Sequence, residues 1–219
     1  GRVLLVVITS NKGLCGGFNA NVIRDTRRLI QEKYNEEFRR GDLWFMPVGK
    51  KGFDVLKKMK CNILEEHNDL YSGLTFEKTK QIADKLMNLY LTKEYDRIEF
   101  IYNQFRNAAV QQLTEAVFLP VSTAPDVKTG SVLTDYIYEP DQVGIVSELI
   151  PKTLRIQFYR ALLDSFAAEH GARMTAMHQA TDNATELIKD LTLQYNNARQ
   201  AAITNQLLEV VSGAEALKG

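Results

Sequence analysis

The chain has 219 residues, 45% of them hydrophobic and 25% charged, and its 27 Lys+Arg balance 27 Asp+Glu to a formal net charge of zero. Such a balance excludes a bulk electrostatic pull toward nucleic acid or an acidic membrane surface, and no run reaches the roughly 18 apolar residues of a membrane span. Two cysteines, Cys15 and Cys61, are too few for a disulfide framework and fit a reducing compartment. Val3 to Ile8, VLLVVI, is a continuous β-branched and leucine run, the pattern of a central strand covered on both faces. It begins almost at the first residue, which fits a fragment lacking its N-terminal part as well as a natural start. TSNKGLCGGFNAN, Thr9 to Asn21, then puts three glycines within five positions where strand turns to helix. Apolar residues at Val22, Ile23, Thr26, Leu29, Ile30, Tyr34 and Phe38 follow helical spacing, with Asn19 as N-cap and Gly41 as stop. A strand is expected over Leu43–Val48, a short helix around Val55, Leu56 and Met59, and a short strand near Asn62–Leu64. Thr75 caps a further helix with Ile82, Leu86, Leu89 and Tyr90 on one face. RIEFIY, Arg97 to Tyr102, is the next strand, and EAVFLP near 115–120 extends it or pairs with it. Strands alternating with helices predict an α/β fold with right-handed crossovers and a mostly parallel sheet.

After Pro125 the pattern changes. PDVKTGSVLTDYIYEP, residues 125–140, carries turn formers and then a short tyrosine-bearing stretch that reads as an extended edge. From Asp141 almost nothing interrupts helix until Gly213; Pro151 is tolerable as a first-turn or kink residue and Gly171 costs about 1 kcal/mol against alanine. A helix of roughly 60–70 residues would run about 90–105 Å, longer than a compact domain of this size can cover. Within it, Leu163, Phe166, His170, Met174, Met177, Thr181, Ala184, Ile188, Leu191, Tyr195, Ala198 and Ala202 recur in steps of three and four. That is close to the 3.5-residue period of a left-handed coiled coil. No other segment here can be the partner helix. The partner is expected from another chain, a symmetry copy, or a preceding segment of the same protein.

No catalytic constellation stands out. A phosphate loop needs G-x-x-x-x-G-K-[ST] and a dinucleotide loop G-x-G-x-x-G; the spacing here is G-x-x-G-G, followed by Phe18 and Asn19. A tight turn is therefore the expected role of the loop. Cys15 beside Lys12 near a helix start has the setting of an activated thiol, but none of the three histidines, His67, His170 and His178, is assignable to it. No C-x-x-C or H-x-x-x-H spacing suggests a metal, and neither metal nor cofactor is expected. The basic run KKGFDVLKKMK, Lys50 to Lys60, reads as a solvated helix face.

TSNKGLCGGFNAN, DYIYEP, LRIQFYRALLDSFAAEHGARMTAMHQATDNA and NNARQAAITNQLLEVVSGA resemble the γ subunit of the F-type rotary ATP synthase, from the first strand to near the C-terminus. The resemblance implies a Rossmann-like α/β foot over residues 1–130, a connecting segment over 131–140, and a coiled-coil helix over 141–219. That helix would be one half of an antiparallel pair whose other half, an N-terminal helix preceding the first strand, is absent. No residue would be catalytic, since ATP chemistry belongs to β. Contacts with β are implied at Arg199, Gln200 and Thr204, and at Gly13, Leu14, Cys15 and Gly16. Tyr136 and Tyr138 would lie near ε and the c ring. Two departures stand out: Asn11-Lys12 where the family often has Asp-Arg, and Gln206 where an acidic residue is usual. No inserted cysteine segment resembles the chloroplast regulatory one.

Implied partners are the α and β subunits of an α₃β₃ ring, ε and the c ring, with self-association of the exposed stripe and no nucleic acid. The implied location is peripheral, on the cytoplasmic face of a bacterial plasma membrane, with the mitochondrial matrix face as the alternative. The competing readings are a small Rossmann-like nucleotide-binding enzyme dimerised by its C-terminal helix, and a coiled-coil adaptor with no rotary role.

Overall fold

The computed structural model describes residues 1–121 and 142–217, and its contacts divide the chain into two units, Gly1–Thr175 and Ala176–Gly219. In the first unit a five-stranded sheet has the order β3-β2-β1-β4-β5. Its strands are β1 (Val3–Ile8), β2 (Leu43–Val48), β3 (Asn62–Ile63), β4 (Arg97–Phe105) and β5 (Gln111–Leu119). The first four run parallel, β1 pairing with both β2 and β4, while β5 returns antiparallel along β4. The EAVFLP stretch thus pairs with the preceding strand rather than prolonging it, through a turn closed by Arg106 N–H and Asn107 N–H donating to Val110 O.

The continuous apolar run of β1 is explained by its two covers. Leu4, Val6 and Ile8 join Ile82, Leu86, Phe100, Phe118, Leu154, Phe158 and Leu162 on one face. Val3, Leu5 and Val7 join Val22, Leu29, Ile30, Phe45 and Leu56 on the other. Successive strand side chains point to opposite faces, so every position of β1 faces one of these two apolar covers. The helices supplying these covers are α1 (Phe18–Glu32), α3 (Lys50–Lys58) and α4 (Phe76–Leu91), and the early part of α5 (Gln142–Ala216). A single 3-10 turn, Asp69–Ser72, precedes α4, whose N-cap Thr75 accepts from Lys78 N–H as its sequence suggested.

Two local differences from the sequence reading have plain causes. The helix expected from Asn19 to Phe38 is broken: α1 ends at Glu32 and α2 (Asn35–Arg40) follows. The break puts the Tyr34 ring into the core beside Leu29 and Ile30, and lets Lys33 reach Glu99 at 2.8 Å. Asn19 is not the N-cap either; Gly17 holds that place without a side-chain bond. Gly41 does stop its helix, at φ 80°, with Asp42 N–H donating to Glu37 O in the manner of a left-handed C-cap.

α5 is one helix of 75 residues with Pro151 inside it. Its early turns bury Leu154, Phe158, Ala161 and Leu162 against the sheet, spaced as one face of a helix. Arg155 adds a 2.6 Å bond to Asp84 of α4. Gly171 has a packing role that its helix propensity hides. A Cβ there would stand 3.1 Å from both Cα and O of Ala108, so α5 passes the β4–β5 turn at backbone distance, and Thr175 Oγ1 donates to Ala108 O. In the second unit, Ala176 to Ala216 of α5 is almost wholly exposed.

Candidate functional site

The glycine loop lies at the carboxyl end of β1. After β1 the chain moves to β2 and β3 on one side and returns as β4 on the other, so the strand order reverses between β1 and β4. Open α/β sheets bind their ligands in the crevice at such a reversal. Here the protein's own helix packs against the loop. Cys15 and Phe18 pack with Ala168 and Ala172 of α5 as a small buried cluster, and Asn103 of β4 donates from Nδ2 to Phe18 O at 3.0 Å. Alanines four apart on α5 let the loop come this close. The turn expected of the loop is thus packed against α5, while a cavity of about 460 Å³ lies to its side, lined by Asn11, Lys12, Tyr71, Phe166, Glu169, His170 and Arg173.

The loop is also internally tied. Asn19, one residue inside α1, accepts Ser10 N–H at 2.9 Å through Oδ1 and donates through Nδ2 to Ser10 Oγ at 2.7 Å and to Cys15 Sγ at 3.2 Å. Ser10 Oγ in turn donates a hydrogen bond to Lys12 O at 2.5 Å. Cys15 is only 2% exposed, which suits a seated core thiol and not an attacking nucleophile. Of the four loop residues expected at a partner surface, Gly13, Leu14 and Gly16 are exposed and Cys15 lies beneath them. Leu14 is 77% exposed at φ 60°, with Gly16 at φ 56° beside it. A leucine in the left-handed region is sterically costly; here it lifts an apolar side chain off the body.

The departure at Asn11 is accounted for locally. Its Nδ2 donates to Asn68 O at 2.7 Å and its Oδ1 accepts Lys50 N–H at 3.0 Å. That pair of bonds joins the loop to the residue 68 segment and to the start of α3. An aspartate could make only the second.

In the second unit Arg199, Gln200 and Thr204 are all exposed, the threonine about one helical turn beyond the pair. Ile188 and Tyr195 of the 3.5-residue stripe are 63% and 65% exposed. Bare apolar side chains at coiled-coil spacing form a surface suited to packing against another helix. Upstream the stripe changes use: Phe166 is half buried, stacked on Tyr71 with ring centroids 5.6 Å apart and edge-on to His170 at 4.6 Å. Tyr136 and Tyr138 lie outside the described residues. Among the described residues no group of His, Cys, Asp and Glu could hold a metal, and no helix is long and apolar enough to cross a membrane. Sequence reasoning missed Asn19 as the loop's tie and Ala168 with Ala172 as its seat; the only signal was two small residues at i, i+4.

A family model described as ATP synthase matches residues 1–217. The chain is 52% identical over its whole length to the ATP synthase gamma chain of Flavobacterium johnsoniae, covering 74% of that protein. It is 49% identical to the ATP synthase gamma chain of Christiangramia forsetii, again over 100% of this chain and 74% of the relative. Among solved structures, it is similar to a chain of the central stalk/c-ring structure of Tetrahymena thermophila mitochondrial ATP synthase. That match has 26% identity and a TM-score of 0.60, covering 82% of this chain and 76% of the other. A chain of the Euglena gracilis mitochondrial ATP synthase OSCP/F1/c-ring structure shares the fold at a TM-score of 0.70, with 24% identity over 99% of this chain and 73% of that one.

Proposed function

Since this chain belongs to the ATP synthase gamma chain family, we propose that it is the rotor shaft of the complex, carrying torque between a proton-driven ring of c subunits and the catalytic β subunits, with no active site of its own. The observation that carries this reading is the exposed apolar stripe on α5 beyond Thr175, a surface made for another helix and for the inside of a ring. We place the paired helix in the part of the relatives' length that this chain does not cover. In functional terms residues 1–130 are the foot, 131–140 the connection and 141–219 the shaft.

One shaft biases several identical sites differently because it presents a different face to each at any instant. Two contacts with β are proposed. Arg199 and Gln200, with Thr204 a turn away, face a loop of β that the arginine fork can grip through a carboxylate. Leu14, with Gly13 and Gly16 exposed on the same loop, enters an apolar recess in a second β surface. Tyr136 and Tyr138 are proposed to face ε and the c ring, at the cytoplasmic side of a bacterial membrane. The test is the assembled enzyme carrying Arg199→Ala and Gln200→Ala together. ATP synthesis should fall several-fold while the isolated chain keeps its fold; unchanged synthesis removes the contact assignment.

A further inference from the structure

We propose that Asn19 is the positioning residue of the glycine loop: its amide clasps both ends of the turn, and the clasped turn is seated on α5, so that Leu14 is held at a set height above that helix. The inference rests on the reading that this loop meets β.

The geometry points to a clasp because Asn19 uses both ends of its amide across nine residues of chain. The oxygen receives Ser10 N–H, the last backbone donor before the turn, and the nitrogen donates to Ser10 Oγ and to Cys15 Sγ. Ser10 Oγ relays to Lys12 O, so strand exit, turn and helix start share one hydrogen-bonded chain. Those partners leave no polar end of the amide idle. Leu14 makes none of these bonds, yet it lies between Lys12 and Cys15, the two residues the chain fixes. Beneath the clasp, Cys15 and Phe18 pack with Ala168 and Ala172, and Phe18 O receives Asn103 Nδ2. The seat therefore has one wall from α5 and one from β4. A small displacement of α5 would be passed to Leu14 by packed atoms rather than absorbed in a slack turn, since close-packed groups transmit strain.

A helix N-cap would not explain this arrangement. Asn19 bonds none of the free N–H groups of its own first turn; Gly17 is the cap and has no side chain to offer.

The experiment uses three variants, Asn19→Ala, Ser10→Ala and Leu14→Asp, each as the purified chain and in the assembled ATP synthase. In the chain, Asn19→Ala should speed hydrogen exchange of amides 10–17 roughly tenfold, as expected for losing side-chain bonds of ordinary net strength. Amides 22–30 of α1 should stay unchanged. Ser10→Ala should show a smaller rise in the same amides. In the enzyme, Asn19→Ala and Leu14→Asp should both lower ATP synthesis relative to hydrolysis. Unchanged exchange at 10–17, or a matching rise at 22–30, overturns the clasp. Faster exchange with normal coupling, while Leu14→Asp uncouples, overturns the positioning role and leaves the β contact standing. If neither variant changes coupling, the contact reading falls and the proposal with it.

Discussion

Glu99 sits on β4 at 2% exposure, with Lys33 at 2.8 and 3.0 Å and Arg97 at 2.6 Å. Burial alone would push its carboxyl up, but the hydrogen bonds from Lys33 and Arg97 outweigh it and hold the group below the usual carboxylate range. A native pKa below the unfolded one, about 4.3 for glutamate, gives stability that is complete above that value and fades as pH drops through the lowered native pKa. Melting temperature should therefore fall on acidification from about pH 5 toward pH 3, and Glu99→Gln should flatten that part of the profile while costing about 1–3 kcal/mol at pH 7. Asn11 gives a second test at this scale. Asn11→Asp turns the bond to Asn68 O into a carboxylate facing a carbonyl, and should destabilise the first unit by about 1–3 kcal/mol in a urea titration. Recovery of most of that loss at a pH low enough to protonate the new group would confirm the cause.

α5 has two kinds of surface in one run of helix, and mutations should separate them. Phe158 is fully buried with Phe100 at 5.0 Å and Phe118 at 6.3 Å, so Phe158→Ala should cost about 3–5 kcal/mol of first-unit stability. Leu191 is 53% exposed, and Leu191→Ala should change the isolated chain by no more than about 0.5 kcal/mol. Denaturant unfolding followed through the core aromatics measures both. An equal loss in the two variants would contradict the division. Gly171→Leu tests the close passage over Ala108. A leucine there should destabilise by about 1–3 kcal/mol despite its better helix propensity, because the atoms it meets are backbone and cannot step aside.

At the scale of the whole chain, the expectation concerns what the exposed stripe does without a partner. A helix bare on all sides depends on propensity and local pairs alone, which give marginal stability. Amides 185–212 of the isolated chain should therefore exchange far faster than those of β1 and β4, or else the chain should self-associate through the stripe. Sedimentation at several concentrations with exchange in parallel tests this. A strictly monomeric chain with strong protection along 185–212 would overturn it. Adding the remaining subunits of the complex should bring protection to that segment if it is a shaft.

Sequence by itself determined the α/β class, because continuous apolar runs such as β1 and β2 mark strands buried on both faces and they alternate with helical spacing. It also determined the long helix, through a near absence of breakers, and the stripe, through its period. The family, too, was legible in the motifs alone. Tertiary structure decided three things that no local pattern carries. Tyr34 broke the first helix because a buried ring and the Lys33–Glu99 pair gained more than one further turn of helix would. The early part of α5 became a cover of the sheet, a role that its spacing shares with any amphipathic helix and that only the facing Phe100 and Phe118 select. The glycine loop found its seat on Ala168 and Ala172, residues some 150 positions away in the chain. Periodicity and spacing report the conformation of a segment and the presence of an apolar face. Which surface covers that face, or which side chains seat a loop, is set by contacts between residues far apart in sequence.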